Sequence, residues 1–331
     1  MKTDTMFKVR CSKFISMLVG GVFIIAAILK LISIDEFEIY IYSFDILNFI
    51  LTTFVSRIII IGEFVLGLFL ILKINYRFAW KTSFIILILF TLFLTYAAIF
   101  RQDSNCHCFG EIIELSPLES IIKNLILIML LLLSQRSAIS YQQSKVKSQR
   151  LESEFRVHRP KFLVLSSSFL VLIVVFIISP PDSIYKMIYS TEKEVSSIDL
   201  HGSFDEVVKI DFEEDELAFD SISAFDVKEK QMIVIVSSGC KYCRLGVKKL
   251  SLIMKKENIS SDNVDIFIWG IPESIVDFRK ETMTEDFDYW HILPTNAIKV
   301  TYGRFPVFIM MENKNITKIG DFRDLDDAFI K

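Results

Sequence analysis

Five long apolar stretches occupy the chain before residue 180, at about 14–33, 51–72, 79–100, 118–134 and 162–179. Each is long enough to cross a hydrocarbon core of roughly 30 Å as a helix. Composition agrees: 52% of the 331 residues are hydrophobic and 30 are Phe, more than an ordinary soluble enzyme of this size carries. The remainder, after residue 180, reads as a soluble domain. A net charge of −3 gives no sign of a nucleic-acid partner. The first stretch follows a basic tail and has no small-residue cleavage site, so it reads as an anchor and not as a removed signal peptide.

Loop charge sets the orientation. Lys2, Lys8, Arg10 and Lys13 precede the first stretch, and Lys73, Arg77 and Lys81 lie between the second and third. Arg136, Lys145, Lys147, Arg150, Arg156, Arg159 and Lys161 lie between the fourth and fifth. The 34–50 segment instead carries Asp35, Glu36, Glu38 and Asp45 with no base. The positive-inside rule therefore places the N-terminus inside, and residues 34–50, 101–117 and everything after Pro180 outside. All five stretches obey this pattern. The expected location is the bacterial cytoplasmic (inner) membrane, with the C-terminal domain extracytoplasmic or periplasmic.

The expected architecture is a membrane all-α four-helix bundle plus an extra transmembrane helix, followed by an α/β domain. Residues 1–136 form the bundle, 137–161 a basic cytoplasmic linker, 162–179 the fifth transmembrane helix and 182–331 the extracytoplasmic domain. Pro180-Pro181 ends the fifth helix, because proline cannot continue one. In the last domain the pattern predicts strand 206–211, a helix within 214–226, strand 231–237 and helix 241–257. Strand 264–269 and a helix within 273–283 follow. A polar and aromatic loop then leads to strand 306–311, strand 316–320 and helix 323–330.

The sharpest chemical signal is Cys240-Lys-Tyr-Cys243, at the turn where the β-rich run Met232–Val236 gives way to an amphipathic helix. A Cys at a helix N-terminus meets unpaired N–H groups and the positive end of the helix dipole, which stabilise a thiolate. Lys241 adds positive charge beside it. Cys240 is thus the expected attacking thiolate, and Cys243, one turn on, the resolving thiol. A zinc site would need four ligands, and no second Cys-x-x-Cys stands in this domain.

Arg304-Phe305-Pro306 places a proline at the mouth of a strand, a position strands tolerate. With the Cys pair, residues 196–331 resemble the thioredoxin fold, in which a cis-proline opens the strand beside the active-site disulfide. The resemblance implies that Pro306 and the backbone of Phe305 face Cys240 and hold an incoming peptide. Two departures point toward a dedicated partner instead of general disulfide reduction. Gly239 stands where many thioredoxins carry Trp, and Val234 where many carry a buried Asp.

Cys106-His-Cys108-Phe-Gly110 lies in the outward loop between the third and fourth stretches. Two Cys one residue apart can pair, in a small and readily reduced ring. With Leu29-Lys30-Leu31, Glu63 and Leu66-Gly67-Leu68, this motif makes about residues 14–135 resemble the MauE/DoxX-like family of four-helix membrane proteins, named for methylamine utilisation. The family resemblance implies a role in forming or isomerising disulfides of exported proteins. Glu63, an acid inside a span, has two open readings: a proton relay or quinone-polarising group, or a buried partner of Arg57 or Lys30. His107 reads as a polar loop residue, His291 as part of a surface aromatic loop near Pro294, and Cys11 as a spare reduced thiol.

These readings converge on a membrane thiol–disulfide oxidoreductase, with Cys240, Cys243, Cys106 and Cys108 as catalytic residues and Pro306, Phe305, Lys241 and Glu63 in support. Its partners would be thiols or disulfides of exported proteins, membrane lipid, and a quinone or a partner redox protein. No cofactor is certain, a quinone is the candidate, and no resident metal is expected. Two further classes stay open: a maturation factor or assembly chaperone with little redox turnover, and a metal-handling membrane protein using Cys106, His107, Cys108 and Glu63.

Overall fold

The computed structural model describes residues 2–101, 106, 109, 115–146, 170–171, 173–177, 179–182, 207–213, 216–219, 225, 228, 230–313 and 315–330. The chain divides into two compact units, Met1–Tyr40 with Thr53–Pro180, and Ile41–Thr52 with Pro181–Lys331.

The first unit is helical. Helices α1 (Lys2–Ile32), α3 (Phe49–Leu72), α4 (Tyr76–Tyr96, continued by a π-turn at Ala97–Arg101) and α5 (Pro117–Val146) supply four segments apolar enough to span a membrane. Those segments are Phe14–Ile32, Phe49–Leu72, Tyr76–Arg101 and Pro117–Ser134. The chain is a multi-pass membrane protein. Large apolar side chains on the outer faces, such as Leu92 and Phe100, are exposed, as a lipid solvent requires. The inner faces meet around Val19, Phe23, Leu66, Leu70, Leu87, Leu127 and Leu131. Where α1 crosses α3, a Cβ on Gly20 would stand 2.6 Å from the Gly67 carbonyl oxygen, and one on Gly67 2.7 Å from that of Gly20. Only glycine on both helices permits that approach.

Helix α5 runs past residue 136 to Val146, so the start of the basic linker is helical. The rest of the linker and much of the fifth apolar stretch lie outside the described residues. Within 34–50, expected as a loop, Ile34–Tyr42 forms a further helix, α2. Asp35 and Glu36 lie in its first turn, where acids complement the helix dipole. Its Glu38 forms a buried ion pair with Arg57 of α3, and Arg57 also donates to the carbonyls of Thr53 and Ser179.

The second unit is a seven-stranded mixed sheet in the order β2-β1-β5-β4-β3-β6-β7. The strands are β1 (Val208–Glu213), β2 (Glu216–Phe219), β3 (Lys230–Ser237), β4 (Val264–Trp269), β5 (Asp288–His291), β6 (Val307–Glu312) and β7 (Asn315–Gly320). The central pairs β3–β4 and β4–β5 are parallel, and the outer pairs are antiparallel. Central β3 is buried along its length after Lys230, as a strand covered on both faces must be. Its alternate residues feed two cores. Met232, Val234 and Val236 pack under helices α6 (Lys241–Glu257) and α7 (Pro272–Thr282). Ile233 and Ile235 pack on the other face with α8 (Pro294–Thr301). A short α9 (Asp327–Ile330) ends the chain. This is a thioredoxin-like α/β domain.

Three expectations need correction here. The stretch expected to hold a helix within 214–226 instead forms β2, because Glu213 opposite Glu216 closes a hairpin in which Leu217 turns inward and Ala218 outward. The aromatic loop after 283 holds β5 and α8. Tyr289 fills the first core and Trp290 packs against the second, so the strand buries an aromatic on each face. The final helix begins at Asp327, not 323, because turns bonded to Asp321 occupy residues 321–325.

Candidate active site

Strand β3 ends at Ser237, and the turn through Ser238 and Gly239 delivers Cys240 to the start of α6. Two contacts fix that turn. The Ser238 N–H donates to the Trp269 carbonyl at 3.0 Å, and Arg244 Nε donates to the Ser238 carbonyl at 3.0 Å. Gly270 is required beside it, since a Cβ there would lie 1.9 Å from Ser238 Oγ. Arg244 also pairs with Glu281 of α7, tying the turn to its neighbouring helix.

Cys240 is the N-cap of α6, with extended backbone at φ −87° and ψ 120°. Its Sγ accepts a hydrogen bond from the Cys243 N–H at 3.4 Å. A thiolate in this cradle satisfies helix N–H groups that otherwise have no partner. The Cys240 thiol is accordingly lowered to about 6, first by the hydrogen bond from the Cys243 side chain and further by the N–H groups of Cys243 and Tyr242, against a smaller opposing effect of burial. Cys243 is fully buried, and burial followed by its hydrogen bond to Cys240 pushes its thiol far up. One sulfur is therefore ready to attack while the other keeps its proton. Both are free thiols. Lys241, expected to supply charge, is solvent-exposed, and the hydrogen bonds carry the shift.

The Phe305–Pro306 peptide bond is cis. Phe305 packs against the same core cluster as Cys240, and its ring lies 6.3 Å edge-on from Trp269. Gly246, two turns into α6, lets the helix approach Pro306. A Cβ there would stand 3.1 Å from Pro306 Cγ and 3.0 Å from Phe308 Cζ. His291 lies in β5, not in a surface loop, and its burial lowers its pKa.

In the membrane unit Cys106 is 1% exposed and disulfide-bonded. His107, Cys108 and Gly110 of the same motif lie outside the described residues. The Cys106 N–H donates to the Leu115 carbonyl at 3.0 Å, and its Sγ lies 2.9 Å from Ser120 Oγ. Glu63 pairs with Lys30 at 2.5 Å, while Arg57 goes to Glu38. Of the two ion-pair partners considered for Glu63, the structure selects Lys30. Sequence reasoning missed Ser120, Arg244, Gly246 and Trp269. Ser and Gly carry no motif, and their importance lies in what stands opposite them.

Residues 8–135 match the family model described as methylamine utilisation protein MauE. Protein TlpB of Flavobacterium psychrophilum is 26% identical over 322 residues, covering 85% of this chain and 84% of that protein. No solved structure matches the chain. The N-terminal membrane part of the chain is a MauE domain, and it is fused to a C-terminal thioredoxin-like domain.

Proposed function

We propose that the protein is a membrane-bound thiol–disulfide oxidoreductase acting on exported proteins. The observation that carries this reading is the pair of opposed thiols at the head of α6. The N-cap Cys240 is lowered to about 6, and the buried Cys243 one turn on holds its proton. Cys240 thiolate attacks a client disulfide, forming a mixed disulfide and releasing one client thiolate. Cys243, once deprotonated, attacks Cys240 Sγ, which closes the Cys240–Cys243 disulfide and frees the client as a dithiol. The reverse sequence oxidises a client. Phe305 and Pro306 hold the client chain beside Cys240.

In the full cycle the Cys240/Cys243 pair exchanges with a second pair, Cys106 and Cys108. Fusion on one chain raises the effective concentration of one pair toward the other. Loop charge supports an outward face for both, and the grouping of Ile41–Thr52 with Pro181–Lys331 supports the same side for the acidic 34–50 segment and the redox domain. The full-length similarity to TlpB supports treating bundle and redox domain as one functional chain.

The test is the in-cell redox state of both cysteine pairs, by acid quench and thiol mass-tagging, in wild type and in Ser variants of each pair. Loss of Cys106 and Cys108 should shift the Cys240/Cys243 pair, with the sign of the shift giving the direction of electron flow. An indifferent Cys240/Cys243 pair sinks the relay. Failure of a purified Cys240/Cys243 site to exchange with any dithiol or disulfide sinks the oxidoreductase reading itself.

A further inference from the structure

The chain carries three tryptophans, Trp80, Trp269 and Trp290. Two of their indole N–H groups are satisfied. Trp80 Nε1 donates to the Leu131 carbonyl at 2.8 Å, and Trp290 Nε1 donates to Asp265 at 2.8 Å. Trp269 Nε1 is closed to solvent and has no acceptor among the described residues. A buried donor without a partner is rare, because it forfeits the hydrogen bond it would make in water. The place of Trp269 in the fold supplies a reason for this one.

Trp269 ends β4 and lies opposite Ser237 of β3 in parallel register. Its carbonyl accepts from the Ser238 N–H at 3.0 Å, so its backbone holds the turn that presents Cys240. Its ring packs against the second core and stands 6.3 Å edge-on from Phe305. Phe305 is half-buried, lies outside the helices and strands, and packs against the same cluster as Cys240. Trp269 thus joins the two segments that flank the attacking sulfur. Strands β3, β4 and β5 run parallel, so the loops after them share one end of the sheet with Cys240, and antiparallel β6 begins there. Those loops expose Ile271, Leu293 and Tyr302. Exposed apolar side chains gathered at one end mark a surface that a polypeptide covers.

We infer that the Trp269 indole N–H is a client-binding donor, which bonds a main-chain carbonyl of the client once the half-buried Phe305 side chain turns aside. The inference rests on the reading of Cys240 as a thiol that exchanges with exported polypeptides. The acceptor is a main-chain carbonyl because every client offers one beside its cysteine, whatever its sequence. Cys240 thiolate attacks one sulfur of the client disulfide and forms the mixed disulfide. The old S–S bond breaks, and its electron pair leaves on the other client sulfur as a thiolate. The indole takes no part in that exchange. It holds the polypeptide bonded to Cys240, and a small thiol without a peptide carbonyl gains nothing from it.

The test uses full-length protein carrying Cys11→Ser and Cys243→Ser, in which an adduct on Cys240 is trapped. An alanine peptide with one central cysteine competes with cysteamine for Cys240, and mass spectrometry of the Cys240 fragment counts each adduct. The peptide thiolate attacks the Cys240 sulfur of the cysteamine adduct, and cysteamine leaves as a thiolate. One S–S bond is made and one broken, so the equilibrium constant reports the contacts made beyond sulfur. Trp269→benzothienylalanine keeps the bicyclic ring and puts sulfur in place of the N–H. It should lower the constant about tenfold, the effect of one lost hydrogen bond. In protein with the native indole, the Trp269 N–H proton resonance should move downfield when the peptide replaces cysteamine, as a new hydrogen bond requires.

A constant that Trp269→benzothienylalanine leaves within about twofold, or a Trp269 proton that the peptide does not move, overturns the inference. If the substituted protein fails to fold, the proton resonance decides alone. Adducts that form equally well with and without the indole N–H leave the proposed exchange at Cys240 standing. Failure of Cys240 to form either adduct sinks that reading, and this inference with it.

Discussion

At the residue scale the chemistry depends on which sulfur carries charge. Cys240 has its pKa lowered chiefly by the Cys243 side chain, so Cys243→Ala should move the midpoint of Cys240 alkylation by iodoacetamide upward from about 6. Cys243→Ser, which keeps a donor, should move it less. A profile that stays near 6 in Cys243→Ala would assign the shift to the helix N–H groups alone. The same shift couples to stability. A thiol with a depressed folded pKa contributes stability that is fully present above its unfolded value, about 8.5, and lost as pH falls through 6. The reduced protein should therefore gain thermal stability between pH 6 and 8.5 relative to its Cys240→Ser variant. Calorimetry under reducing conditions checks this, and parallel curves for the two proteins would contradict it.

Elements are set by contacts between faces, and two glycines show how little room is left. Gly246→Ala would drive a Cβ to 3.0 Å from the Phe308 ring and 3.1 Å from Pro306, so α6 must move from β6. The expected cost is about 1–3 kcal/mol, read as a drop in the midpoint of thermal or denaturant unfolding. Activity should fall further than stability, because the displaced helix carries Cys240. In the membrane, Gly20→Ala meets a backbone oxygen at 2.6 Å, which no rotamer change relieves. That variant should loosen the α1–α3 pair and lower detergent-resistant folding, whereas Gly21→Ala, with nothing within 4 Å, should be silent. Equal behaviour of the two would refute the close crossing.

At this same scale the sequence was legible where one periodicity dominated. Helix Lys241–Glu257 and strand Val264–Trp269 match the expected bounds, since a strong amphipathic or fully buried pattern leaves a single solution. Hairpin β1–β2 and strand β5 were not legible. Short strands of four residues take their identity from a neighbour in register, and Glu216 or Asp288 gives no local sign of that neighbour.

For the whole molecule, the second unit is discontinuous. It takes Ile41–Thr52 together with Pro181–Lys331. Tyr42 and Phe49 are buried in its first core, and Tyr42 Oη donates to Asp327 at 2.7 Å. Lys249, fully buried in α6, faces the Phe49 ring at 3.6 Å and Asp182 at 3.6 Å, and Lys256 donates to the Leu47 carbonyl at 2.8 Å. Deleting residues 43–48 or replacing Phe49 by Ala should therefore destabilise the redox domain itself, by about 3–5 kcal/mol for Phe49→Ala, and lower its unfolding midpoint. Limited proteolysis between Lys241 and Glu257 reports this, and unchanged cleavage would mean the segment is dispensable.

The sequence alone determined that several helices cross a membrane, that a thioredoxin-like α/β domain follows, and that Cys240 precedes Cys243 at a helix start. Long apolar runs and a thiol pair at a strand–helix turn are local patterns, and local patterns survive without a neighbour. Only the tertiary structure decided that Glu63 pairs with Lys30 and Arg57 with Glu38, that Gly20 meets Gly67, that Cys106 leans on Ser120, and that residues 41–52 complete the redox domain. Each of these joins residues distant in the chain. Which of several chemically equivalent partners is chosen follows from the packing that brings them within a few ångströms, a property of the assembled core and not of any one segment.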